Sequence, residues 1–117
     1  MTAGARTTPT VTSRADSHIH LFSHGFSGPP GARDEVAMYE ALREQYNISH
    51  ALVVGYEGDE RYRGNNDELE QLAHTKDWVV PLAFVNTDGS FRPQQAERRL
   101  DSGFRGFSVY LLSLIHI

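Results

Sequence analysis

The residues of this chain best suited to chemistry are Asp16, His18 and His20, which alternate within Asp16-Ser17-His18-Ile19-His20-Leu21-Phe22. Side chains alternate between the two faces of a β-strand, so this spacing predicts that all three point the same way. Two imidazoles two residues apart on a rigid strand can reach one divalent ion, and Asp16 is expected to orient the pair from just below. Cysteine is absent, which excludes a disulfide framework, a zinc knuckle and a thiol nucleophile. Any metal site must therefore use histidine and carboxylates. His-x-His alone is a short and weakly specific motif, and its weight comes from its place at the C-terminal end of a strand, where α/β folds build their sites. The plainer reading is two polar residues at a strand end with no ligand.

The elements that must position this pair follow from the pattern of apolar residues. A first strand is expected at Ala15 to His20, followed by a loop, Phe22 to Arg33, whose glycines and Pro29-Pro30 exclude regular structure. Its length suggests a functional loop. A helix from about Asp34 to Tyr46 places Val36, Tyr39, Leu42 and Tyr46 on one stripe, expected to be core. His50 to Tyr56 reads as a buried strand and Glu57 to Gly64 as a charged loop. Asn65 or Asn66 can cap a second helix, with Leu69, Leu72 and Ala73 on its buried side. Trp78 to Val85 is a third strand, although Pro81 lacks a ladder donor. A third helix over Arg92 to Ser102, with Pro93 near its start and Gly103 after it, leads to a fourth strand at Phe104 to Leu111. The fold class is α/β, and this alternation fits either a doubly wound sheet or the first half, about four βα units, of a (β/α)8 barrel.

Other polar residues carry less. His24, in the loop after the first strand, and Asn86, after the third, lie where a mouth would form and are the candidate substrate contacts; a solvated loop residue is the plainer reading of each. Tyr56, Glu57, Asp59 and Asp88 share that position with no further support. His50 is read as structural at the opposite end of the sheet, and His74 as a surface residue near a helix C-terminus, where a cation interacts well with the dipole. Trp78, Phe84, Phe104 and Phe107 are read as core.

The totals limit the function classes. The chain has 117 residues, 39% of them hydrophobic, and a net charge of -4. That balance, without a Lys/Arg stripe, offers no footprint for nucleic acid or for an anionic membrane. No apolar run is long enough to span a bilayer, and residues 1–13 read as a disordered lead without a secretion signal. A small-molecule ligand in the cytoplasm is the resulting expectation, and the oligomeric state is left open.

The stretch DSHIHLF resembles the first-strand signature of the amidohydrolase superfamily, specifically its amidohydrolase-related group of lactone hydrolases and non-oxidative decarboxylases. The stretch GNNDELEQLAHTKDWVVPLAFVN resembles that group's second-helix and third-strand region, and GFRGFSVYL its fourth-strand Gly-x-x-Gly segment, so the similarity covers Ala15 to Leu111. It implies a TIM barrel with His18 and His20 as ligands of a divalent metal, zinc by donor type, although some members use these histidines for substrate. The implied activity is metal-dependent hydrolysis of a lactone or similar small carbonyl compound. Decarboxylation within the same group and a small doubly wound binding module without catalysis are the alternatives. The group's later histidines and its aspartate base have no counterpart before Leu111, and Ser108 stands where relatives often carry a basic residue, so a bridging carbamylated lysine is not expected.

A closed barrel needs roughly 250 residues. Residues 14–111 are therefore read as a partial barrel domain, inactive alone. Residues 112–117, Leu112-Ser113-Leu114-Ile115-His116-Ile117, look like the translated end of a sequencing-library adapter, which would leave His116 without a biological role; a genuine apolar strand extension is the alternative.

Overall fold

In a computed structural model of the chain, residues 12–29, 31 and 33–110 are described. Along them run β1 (Arg14–Ile19), α1 (Glu35–Tyr46), β2 (Ile48–Val54), α2 (Asn65–Thr75), β3 (Val79–Val85), α3 (Pro93–Asp101) and β4 (Gly106–Val109). A 3-10 turn, Glu60–Tyr62, lies within the segment read as a charged loop. The strands form one parallel sheet in the order β1-β2-β3-β4. The order never reverses, so the described strands contain no topological switch point of the doubly wound kind. The expected α/β alternation is observed, with strand ends shifted by a few residues. The expected tail at 112–117, and most of the expected lead, lie outside the described residues. No described helix is long and apolar enough to cross a membrane.

Local chemistry explains the element boundaries. Asp34 accepts the Ala37 N–H at 3.0 Å and opens α1, and Asn47, in the left-handed region at φ 55°, closes it. Pro93 occupies the first position of α3, where its missing N–H costs nothing. Pro81 is tolerated inside β3 because its polar edge faces β4. Its carbonyl accepts the Arg105 N–H at 2.9 Å, and the β3–β4 ladder begins only at Leu82↔Gly106. The helices cover one face of the sheet, where Ala51, Val53, Val79 and Ala83 pack with Tyr39, Leu69, Trp78 and Phe104.

Three expectations are corrected. First, the α1 stripe is only half core: Tyr39 is buried, but Leu42 and Tyr46 are 44% and 49% exposed. Helix α1 packs on β2 at the β1 side of the sheet, and among the described residues no further element covers its outer flank. Second, neither Asn65 nor Asn66 is the cap of α2. Gly64 is, at φ 86°, a conformation in which a side chain would be strained.

The third correction concerns Asp16. In the β1–β2 ladder Asp16 stands opposite Ala51 and Ile19 opposite Val53, so three steps along β1 match two along β2. This bulge reverses the alternation of side chains. Asp16 and Ile19 both fall on the helix-covered face, where Asp16 Oδ2 accepts the Tyr39 hydroxyl at 2.9 Å and Ile19 packs against the core. His18 and His20 flank Ile19, so strand alternation sets them out of step with it and with Asp16.

Candidate functional site

The two histidines meet at the C-terminal end of β1. Their Nε2 atoms are 3.3 Å apart and their rings stand edge to face, with centroids 5.0 Å apart. His20 Nδ1 lies 2.7 Å from the Val54 carbonyl, the last residue of β2. A carbonyl can only accept, so Nδ1 carries a proton, and in the neutral ring Nε2 presents a lone pair. The His20 ring lies parallel to Phe22 at 6.0 Å and edge-on to Tyr56 at 6.3 Å, so aromatic rings fix its plane from two sides.

This arrangement can share one proton between the two Nε2 atoms, or chelate one cation. Two nitrogens bound tetrahedrally at about 2.05 Å from a zinc-like ion lie about 3.3 Å apart, which is the spacing observed. The backbone acceptor on Nδ1 is the usual outer partner of a ligating imidazole. The pair therefore fits two positions of a divalent-metal centre. Among the described residues, no group of three or more His, Cys, Asp and Glu is placed to hold an ion, so the described chain offers a bidentate grip. A cleft of about 420 Å³ beside β1 and α1 has the pair in its wall, together with Leu21, Phe22, Met38 and Leu42.

The other candidates do not join the pair. His24 is exposed in its loop, its ring 3.5 Å from Ser23 Oγ. Asn86 is exposed after β3, where its Oδ1 accepts the Asp88 N–H at 3.2 Å in a local turn. It lines a separate cavity of about 140 Å³ with Glu57, Ser90, Phe91 and Arg98. Asp88 is held below its usual carboxylate range by its hydrogen bonds to Ser90. His50 is exposed near the start of β2, and His74 Nε2 lies 2.7 Å from the Ser102 carbonyl, tying α2 to the end of α3.

Sequence reasoning missed the polar residues that hold the mouth together. The Glu35 carboxylate accepts the Phe22 and Phe26 N–H groups at 2.8 and 2.7 Å, folding the loop after β1 back onto α1. Asn65 donates to the Leu21 carbonyl at 3.0 Å and accepts the Tyr56 N–H at 2.9 Å. Asn66 donates to the Phe84 carbonyl at 3.0 Å and accepts the Phe84 N–H at 2.8 Å. Buried Arg99 grips Asp67 at 2.8 Å and Glu70 at 2.7 Å, joining α3 to α2. Two adjacent asparagines at a helix start read as caps, and only their burial separates a cap from a bridge.

Comparison of the chain with family models, curated proteins and solved structures returned no match.

Proposed function

We propose that this chain is the opening βα portion of a metal-dependent (β/α)8 hydrolase of the amidohydrolase-related kind, acting in the cytoplasm on a lactone or similar small carbonyl substrate. The observation that carries the reading is the 3.3 Å approach of His18 and His20 Nε2 at a strand end, with the His20 ring anchored through Nδ1 so that its Nε2 faces His18. The reversal-free parallel order of the strands supports it, being the order of a barrel wall. The resemblance of DSHIHLF, GNNDELEQLAHTKDWVVPLAFVN and GFRGFSVYL to that group supplies the reaction class.

When bound, a zinc-like ion polarises a carbonyl and lowers the pKa of water. His18 and His20 would hold it, and the Val54 carbonyl keeps the His20 ring oriented and its Nδ1 protonated. Phe22 and Tyr56 shield the His20 ring from solvent on the two sides they cover. Asn86 and His24, at loop positions after strands, are the proposed substrate contacts.

The test is titration of the full chain with Co²⁺, followed by its visible absorption, beside His18→Ala and His20→Ala. The expected result is weak one-site binding, as befits two neutral ligands, lost in each variant. Binding that persists unchanged in both variants overturns the metal reading.

A further inference from the structure

Among the buried polar side chains, Asn65 stands out because its two hydrogen bonds reach backbone on both sides of His20's own anchor. It is 2% exposed and sits at the first position of α2. Its Nδ2 donates to the carbonyl of Leu21, the residue after His20, and its Oδ1 accepts from Tyr56, two residues after Val54. Val54 in turn accepts the His20 Nδ1 proton. These three bonds close a ring running from the His20 imidazole through Val54, Gly55 and Tyr56 to the Asn65 amide, and back through Leu21 to His20. The bond from Gly55 N to the Leu82 carbonyl, 2.8 Å, ties the ring to β3.

We infer that Asn65 is the positioning residue of the histidine pair: it fixes the β1 and β2 exits against each other, and so sets the direction in which His20 Nε2 faces His18. The physical argument is one of constraint. His20 lies just past the last residue of β1, where the ladder no longer holds the backbone. Without Asn65, the Leu21 carbonyl and Tyr56 N–H have no described side-chain partner, and the two exits are left joined by the His20–Val54 bond and the edge-on contact of the His20 and Tyr56 rings. Asn66 makes an equivalent pair of bonds to Phe84 on β3 and takes no part in the ring. It is therefore a control for plain loss of buried hydrogen bonds. As a matter of metal affinity, the inference rests on the function proposed above; as a matter of ring orientation, it does not.

The experiment uses the full chain with ¹⁵N-labelled histidine at about pH 8.5, two units above the ordinary imidazole pKa, so that the neutral tautomers are read directly. Expected for wild type is a His20 ring almost wholly protonated at Nδ1, with a slowly exchanging Nδ1 proton. Asn65→Ala is expected to mix the His20 tautomers, accelerate that exchange and weaken Co²⁺ binding by up to about tenfold, the low end of what losing the ligand's own outer partner costs. Asn65→Asp keeps the acceptor for Tyr56 but sets a buried carboxylate oxygen against the Leu21 carbonyl, so it is expected to show at least the same shift, and the small neutral Asn65→Ser is the milder variant, expected to show it in smaller measure. Asn66→Ala is expected to lower stability while leaving the His20 signals and Co²⁺ affinity as in wild type. The inference is overturned if folded Asn65 variants keep the wild-type tautomer, or if Asn66→Ala shifts it equally. Should wild type bind no Co²⁺ yet show the tautomer shift in the Asn65 variants, the positioning role stands and the metal reading falls.

Discussion

At the scale of single residues, the displaced Asp16 adds to a shift that burial imposes on Tyr39. Burial pushes the Tyr39 hydroxyl up to about 12, helped by its hydrogen bond to the Asp16 carboxylate and by that carboxylate's charge. The fold thus favours the neutral phenol. Its contribution is whole below the ordinary tyrosine value of 10.0 and is lost as pH rises from there toward about 12. A shift of that size corresponds to at most about 3 kcal/mol. Tyr39 is expected to ionise toward about pH 12 in an ultraviolet titration, and Tyr39→Phe is expected to remove its share of the alkaline loss of stability measured by urea denaturation. An unchanged alkaline limb in Tyr39→Phe would assign the effect elsewhere. On the acid side, Glu40 is held low chiefly by its hydrogen bond to Lys76, so its smaller contribution fades as pH falls below the ordinary 4.5.

At the scale of elements, the close fit of β2, β3 and α2 depends on Gly55. A Cβ there would collide with Asn66 Oδ1 and press on the Phe84 nitrogen at 3.3 Å. Asn66 could not then keep both bonds to Phe84, and each buried group left unpaired costs about 1–3 kcal/mol. Gly55→Ala is accordingly expected to destabilise the chain by more than about 2 kcal/mol in urea denaturation, and to speed amide exchange at Phe84. A variant within about 0.5 kcal/mol of wild type would show that α2 can retreat freely. The bulge in β1 belongs to the same scale. One inserted residue sends Asp16 to the helix side, out of step with His18 and His20.

At the scale of the whole molecule, β1 pairs only with β2 and β4 only with β3 among the described strands. Beside the free edge of β1, Met38 is 53% exposed and, with Leu42 and Phe26, lines an apolar cleft. Unpaired edges next to apolar surface favour association. The full chain is expected to self-associate in sedimentation experiments at micromolar concentrations, and the double variant Met38→Lys, Leu42→Lys to shift it toward monomer. Monomeric wild type across that range would mean that the edge is protected.

The amino-acid order alone determined the alternation of strands and helices, the start of α1 at Asp34 and of α3 at Pro93, and the nearness of two imidazoles at a strand end. These features are local: periodicity, caps and spacing act over a few residues. Only the tertiary structure decided which face Asp16 takes, since a bulge is a property of two paired strands and not of one strand read alone. It also decided that Asn65 bridges β1 and β2 where a cap was expected, and that Leu42 and Tyr46 stay exposed on a stripe that reads as core. Burial and hydrogen-bond partners across 44 residues, as from Asn65 to Leu21, arise from packing, and no window of sequence contains both ends.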